Sequence, residues 1–175
     1  MPTSPDPVSD PHGYQRHLLS LLGDDDPAEV QEGTADAFRA LIEIAAADAT
    51  TRPAPTEWSV VQCLAHLTDG ELVVSARYRW ILAEDEPPLV GYDQDLWADT
   101  LHTPPERSSE LFTIFEPLRA ANIALWRSTP EDRRGRVGMH SERGPESYDL
   151  TFRLAAGHDR FHLAQAERAL DAVRG

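Results

Sequence analysis

Apolar residues recur at intervals of three and four over four long stretches of the chain, the spacing of one face of a helix. Phe38, Leu41, Ile42 and Ala45 mark a first helix over roughly residues 34–48, which two prolines, Pro53 and Pro55, forbid from continuing. Val60, Leu64, Leu67, Val74, Tyr78 and Ile81 mark a second, from a Ser59 cap to about Glu84. Ser59 stands three residues before Gln62, the spacing of a capping box, with Trp58 placed to staple the start. Leu111, Phe112, Phe115, Leu118, Ile123 and Trp126 mark a third, which ends at Ser128-Thr129-Pro130 and should kink at Pro117. Leu150, Leu154, Phe161 and Leu170 mark a fourth, which begins near Ser147 or Asp149. No stretch alternates as a strand should, and no internal repeat is present.

The segments between these helices carry their own signals. Residues 1–12 hold Pro2, Pro5, Pro7 and Pro11 among Ser and Asp, and read as a flexible arm ahead of one domain over 13–175. Tyr14 to Leu22 can make two helical turns before Gly23, and Pro27 can open another short one. Residues 85–106, with Pro87, Pro88, Pro104 and Pro105, form a connector too long for a simple turn. Extended, it spans on the order of 70 Å, enough to return the chain so that the third helix runs parallel to the second. Within it, Gly91–Asp99 should pack over one end of the bundle through Tyr92, Leu96 and Trp97, while residues 130–147 read as an irregular return. The expected architecture is an all-α four-helix bundle.

Composition narrows the partners. With 41% hydrophobic and 26% charged residues, the 175-residue chain has the balance of a soluble protein with a real core. Sixteen arginines and no lysine oppose thirty acidic residues, a formal net charge of −14. That balance argues against nucleic acid and against an anionic membrane surface, which both need clustered cations. A single cysteine, Cys63, rules out a disulfide scaffold. The N-terminal residues lack the basic and apolar regions of a secretory signal, so the expected compartment is cytoplasmic.

Candidate chemistry lies in the histidines. His158 and His162 are four apart on the last helix, one turn from each other on the face shared with Leu154 and Phe161, and should point inward. Two imidazoles at that spacing are a common way for a helix to hold a transition metal. His66, on the second helix, shares a face with Cys63, Gly70 and Val73. Three neutral imidazoles leave a coordination position open, as catalytic zinc does. The competing reading is a core in which backbone or carboxylate groups satisfy the histidines. Asp69 and Glu71 are either groups that tune a metal or accept a proton from its water, Asp69 being the one catalytic candidate, or a solvated edge of the helix. Cys63 is expected to act as a small hydrophobe. His12, His17 and His102 are expected at the surface, His140 in an exposed loop, and Arg77 and Arg79 paired with carboxylates.

The stretch TEWSVVQCLAHLTDGE (Thr56–Glu71), then Arg77, Trp97 and GHDRFHLAQ (Gly157–Gln165), resembles the DinB-like superfamily of bacterial four-helix bundles. That family opens its second helix with Trp-Ser, here Trp58-Ser59, and follows with His-Leu-x-Asp-x-Glu, here His66, Leu67, Asp69 and Glu71. Its last helix carries His-Asp-x-x-His-x-x-Gln, here His158, Asp159, His162 and Gln165. The resemblance covers roughly residues 14–173. It implies an up-down-down-up bundle, with the long crossover between helices two and three, and a His66, His158 and His162 site for zinc or nickel. It implies a homodimer as well, for which Leu72 and Trp80 could supply an apolar patch. The implied activity is that of a metal-dependent enzyme on a small electrophilic substrate, either hydrolysis or transfer of a low-molecular-weight thiol such as bacillithiol or mycothiol. No thiol-binding motif is recognisable. The alternative is a non-enzymatic, stress-linked bundle that holds a metal or small ligand, and a filled site without a cleft would favour it.

Overall fold

The computed structural model describes residues 5, 6, 9–103 and 107–175. The arm expected at residues 1–12 therefore falls partly outside the described residues, as do Pro104 and Pro105 of the connector. Its last residues, Pro11 and His12, already belong to a helix, α1 (Pro11–Leu22), capped by the Asp10 side chain on the Gly13 N–H. The second helix, α2 (Pro27–Ala45), starts seven residues earlier than periodicity suggested. Asp26 caps it through the Ala28 and Glu29 N–H groups, and Pro27 fits its first turn, where no N–H is needed.

α3 (Val60–Ala83) has the expected capping box: Gln62 N–H donates to Ser59 Oγ, and Ser59 N–H to Gln62 Oε1. The connector that follows holds a two-residue strand, β1 (Pro88–Leu89), and a short helix, α4 (Gln94–Leu101). α5 (Ser108–Ser128) runs through Pro117. Beyond it, β2 (Val137–His140) and β3 (Gly144–Ser147) lead into α6 (Tyr148–Arg174), which Ser147 caps. β1, β2 and β3 form a small sheet in that order, β1 parallel to β2 and β2 antiparallel to β3. This corrects the expectation of a strandless chain with an irregular return at 130–147. Strands of two to four residues, rich in Gly and Pro, are too short for alternation to register.

The bundle proper is α2, α3, α5 and α6. Cys63 and Leu64 share a core with Leu111 and Phe112, and Tyr78 and Ile81 with Ile123 and Trp126, so α3 and α5 run the same way. Gln31 meets Phe152 and Asp48 meets Arg174, which makes α2 parallel to α6. His66 faces His158 while Tyr78 faces Tyr148, so α6 opposes α3. The order is up-down-down-up, and the crossover carries the reversal. Tyr92 and Trp97 pack together, ring centroids 4.5 Å apart, whereas Leu96, expected to join them, stays exposed.

α1 lies against α6 through Gly157. A Cβ at that position would stand 2.1 Å from the Leu18 carbonyl oxygen, so only glycine permits this approach. Two apolar clusters fill the bundle. One is built on Phe38, Leu64, Phe112 and Phe115, the other on Tyr78, Trp126, Tyr148 and Phe152. In the second, Trp126 and Phe152 stack at 4.2 Å.

Candidate metal centre

α3 delivers His66 and α6 delivers His158 and His162 to one point. His66 Nε2 is 3.1 Å from His158 Nε2, which is 3.0 Å from His162 Nε2, and one nitrogen from each ring lies within 4.8 Å of the others. His66 and His162 are buried and His158 is half-buried. Trp58 lies over the pair, 4.8 Å from the His66 ring and 5.8 Å from that of His162, so the residue expected to staple α3 also roofs the cluster. Burial holds all three imidazoles well below their ordinary pKa, and the charge of a neighbouring histidine on each adds to it. They are neutral at pH 7.

A neutral ring nitrogen offers in its plane either one lone pair or one N–H. His158 Nε2 therefore cannot hydrogen-bond well to both partners at 3.0 and 3.1 Å. Converging lone pairs explain the packing better, and they fit a cation: ligands at 2.0–2.1 Å around a tetrahedral ion stand about 3.3 Å apart. Gln165 supports this donor set, because its Oε1, 2.8 Å from His162 Nδ1, accepts a hydrogen bond from the Nδ1–H and leaves the Nε2 lone pair facing the cluster.

Behind the histidines lies a layer of buried charge. Arg119 donates from Nε to Glu71 Oε2 at 2.9 Å and from Nη2 to Asp159 Oδ1 at 3.0 Å, with a second bond to Asp159 Oδ2. Thr34 Oγ1 also donates to Asp159, at 2.7 Å, and Asn122 Nδ2 donates to Glu71 at 2.6 Å. Burial raises the Glu71 pKa, opposed by the Arg119 charge and the Asn122 bond. Neither acid is a solvated edge. Asp69 is buried too, its Oδ2 2.8 Å from Nε2 of a buried His102. The expectation of a surface His102 fails because α4 lies along α3 and brings it inside. Burial pushes the Cys63 thiol up to about 12, so it behaves as the expected small hydrophobe.

A cavity of about 600 Å³ opens beside the cluster and reaches His66 and His158. Arg77, Tyr92, His140, Arg143 and Glu146 also line it; Asp69 does not. Two of these residues correct the sequence reading. His140 is on β2 and 4% exposed, not in an open loop. Arg77 donates from Nη2 to the Val90 carbonyl at 2.6 Å, and Arg79 to Ser75 O and Asn122 Oδ1; among the described residues neither pairs with a carboxylate. A signal for Arg77 was present, since residues 66, 70, 73 and 77 share one face of α3. None existed for Arg119 or His140, whose neighbours are distant in sequence.

Residues 30–166 match the DinB superfamily. Two proteins of Oceanobacillus iheyensis, each named as a candidate metal-dependent hydrolase, are similar to the chain. One is 28% identical over 109 residues, 61% of this chain and 62% of that protein, so the match spans less than two thirds of its relative. The other is 26% identical over 121 residues, 67% of this chain and 68% of that protein. The fold is that of YfiT from Bacillus subtilis, described as a candidate metal-dependent hydrolase with an unusual four-helix bundle topology. It aligns with a TM-score of 0.76 at 20% identity, over 83% of this chain and 84% of that one.

Proposed function

The chain belongs to the DinB superfamily, and from that premise we propose that it is a metal-dependent hydrolase of a small electrophilic substrate, with His66, His158 and His162 as the metal ligands. The observation that carries the reading is the convergence of three neutral imidazole nitrogens at one end of an open cavity. The cavity supplies the cleft that a purely metal-storing bundle would lack. The names of the similar proteins favour hydrolysis over thiol transfer.

A divalent ion, zinc or nickel, would supply Lewis acidity toward a substrate oxygen and toward water. The chain's own residues prepare the site. Gln165 fixes the His162 tautomer, and Trp58 packs against the rings of His66 and His162. Asp159, through Arg119 and Thr34, anchors the turn of α6 that carries His158. Asp69 meets His102, which ties α4 to α3 beside His66; a part for this carboxylate in proton transfer belongs to the same proposal.

Protein purified without a histidine tag should carry close to one zinc or nickel ion per chain by elemental mass spectrometry. An ester and amide panel should be hydrolysed by the loaded protein, silenced by chelation and restored by the ion. The same panel run with bacillithiol, mycothiol or glutathione separates transfer from hydrolysis: a strict thiol requirement overturns the hydrolase assignment. Wild-type metal content in a His66, His158 and His162 triple alanine variant overturns the site.

A further inference from the structure

The cavity has a second end, away from the histidines. Arg77 of α3 and His140 of β2 form its wall there, 7% and 4% exposed. The Arg77 Nε–H is buried with no hydrogen-bond partner, and among the described residues no carboxylate pairs with its guanidinium. His140 Nδ1 accepts the Glu142 N–H at 3.2 Å, so the ring carries its proton on Nε2, which is likewise buried and unpartnered. Two buried donors without an acceptor are costly, and more so when one of them belongs to a charged guanidinium. Both residues line the same cavity, and both lack the same thing, a hydrogen-bond acceptor.

The nearby carboxylate does not fill that role. Glu146 is occupied by two bonds from Arg143 and one from Gln15. Glu142 also lines the cavity, its carboxylate against Gly91. Two donors match the two oxygens of a carboxylate, and a singly charged group is repelled less by Glu142 and Glu146 than a phosphate dianion.

We propose that Arg77 and His140 form a subsite for the carboxylate of the substrate, which is a small aliphatic acid carrying its hydrolysable group at the far end. Arg77 lies eleven residues past His66, about 16 Å along the helix, and helical side chains lean back toward the N-terminus. Gly70, Val73, Val74 and Leu154 line the cavity along α3 and α6 between the two ends, beside Thr151 and the mutually bonded Glu71, Arg119 and Asp159. The bound molecule therefore has an acid head, an apolar spacer of several carbons, and a reacting group at the triad. The last of these rests on the hydrolase reading; the acid subsite does not.

The test is calorimetry and histidine NMR on the metal-free protein, in which no ion competes for the probe. Hexanoate should bind and move the His140 Nε2 resonance, and hexanamide should bind at least roughly tenfold more weakly, as the loss of a charged hydrogen bond predicts. His140→Phe and Arg77→Gln should each weaken hexanoate binding by a similar factor while zinc content stays at the wild-type level. Absence of hexanoate binding, equal binding of hexanamide, tighter binding of butyl phosphate, or a His140→Phe variant with undiminished affinity each overturns the proposal. Arg77 also holds the crossover through Val90, so the wild-type comparison and His140→Phe decide if Arg77→Gln fails to fold. Loss of the metal reading would show separately, as zinc retained by the triple alanine variant with hexanoate discrimination intact.

Discussion

Gln165 Oε1 stands 2.8 Å from Nδ1 of His162, one turn away on the same helix. This contact sets which ring nitrogen keeps a lone pair, and so whether the three Nε2 atoms can share an ion. Gln165→Leu leaves His162 free to take the other tautomer. Zinc affinity should fall about 10- to 100-fold, the usual cost of losing such a partner. Competition against a chromophoric chelator measures it, and unchanged affinity would mean that packing by Trp58 and Phe161 alone orients the ring.

Arg119→Met removes the cation that bonds both Glu71 and Asp159 and leaves the two carboxylates buried without it. The expected loss of stability is about 3–5 kcal/mol, as for a buried ion pair broken on one side. Urea unfolding of the metal-free protein is the measurement. A loss within the range of a surface substitution would show that water reaches this layer.

Gly157→Ala sets a methyl group against the Leu18 backbone oxygen, at an unrelaxed distance of 2.1 Å. α1 must shift, at a cost of about 1–3 kcal/mol, and α6 is disturbed one residue before His158. Lower thermal stability should appear together with reduced zinc affinity. Hydrogen exchange should quicken in α1 first.

Acid should destabilise the protein through the sheet as well. Burial, helped by the Arg143 charge, lowers the His140 pKa from 6.5 to about 4. Between those values the unfolded chain takes up a proton that the folded state refuses, so this contribution is complete above pH 6.5 and is lost as pH falls toward 4. Burial raises the Glu146 pKa, but the Arg143 hydrogen bonds and charge outweigh it and the net shift is downward. Its contribution is present above the ordinary glutamate value and is also lost on acidification. The unfolding free energy of His140→Gln should therefore depend less steeply on pH between 6.5 and 4 than that of wild type. Equal slopes would place His140 in contact with solvent.

A homodimer is proposed on the face of α3 that leaves Leu72 and Trp80 exposed, 46% and 42%. Light scattering should give twice the chain mass, and Trp80→Arg should halve it. A monomeric wild type ends the proposal.

Local signals explain how much of this protein could be read without its structure. The Ser59–Gln62 box, the Ser147 cap and the three-and-four spacing of the apolar faces act within one or two turns, and α3, α5 and α6 follow from them. Spacing alone put His158 and His162 on one helix face, and the family motif supplied His66 as the third member. Even the parallel course of α3 and α5 was implied by the length of their connector. α2 began earlier than read because Asp26 and Pro27 make a strong start, which outweighs Gly33 in its middle. Where a charge ends up is a different kind of question. In one dimension His102 and His140 look exposed, Asp69 and Glu71 can equally be a solvated edge, and Arg77 looks like one half of a carboxylate pair. They are buried because the connector, α4, α5 and the short strands fold against α3 from far along the chain: Val90 is 13 residues from Arg77, His102 33 from Asp69 and Arg119 48 from Glu71, and no residue of α3 records which partner will cover it. The helices and the pairing of histidines on one helix face belonged to the sequence by itself. The buried charge layer and the acid-facing end of the cavity were decided by tertiary packing, because a polar group's environment is the sum of neighbours that only the folded chain brings together.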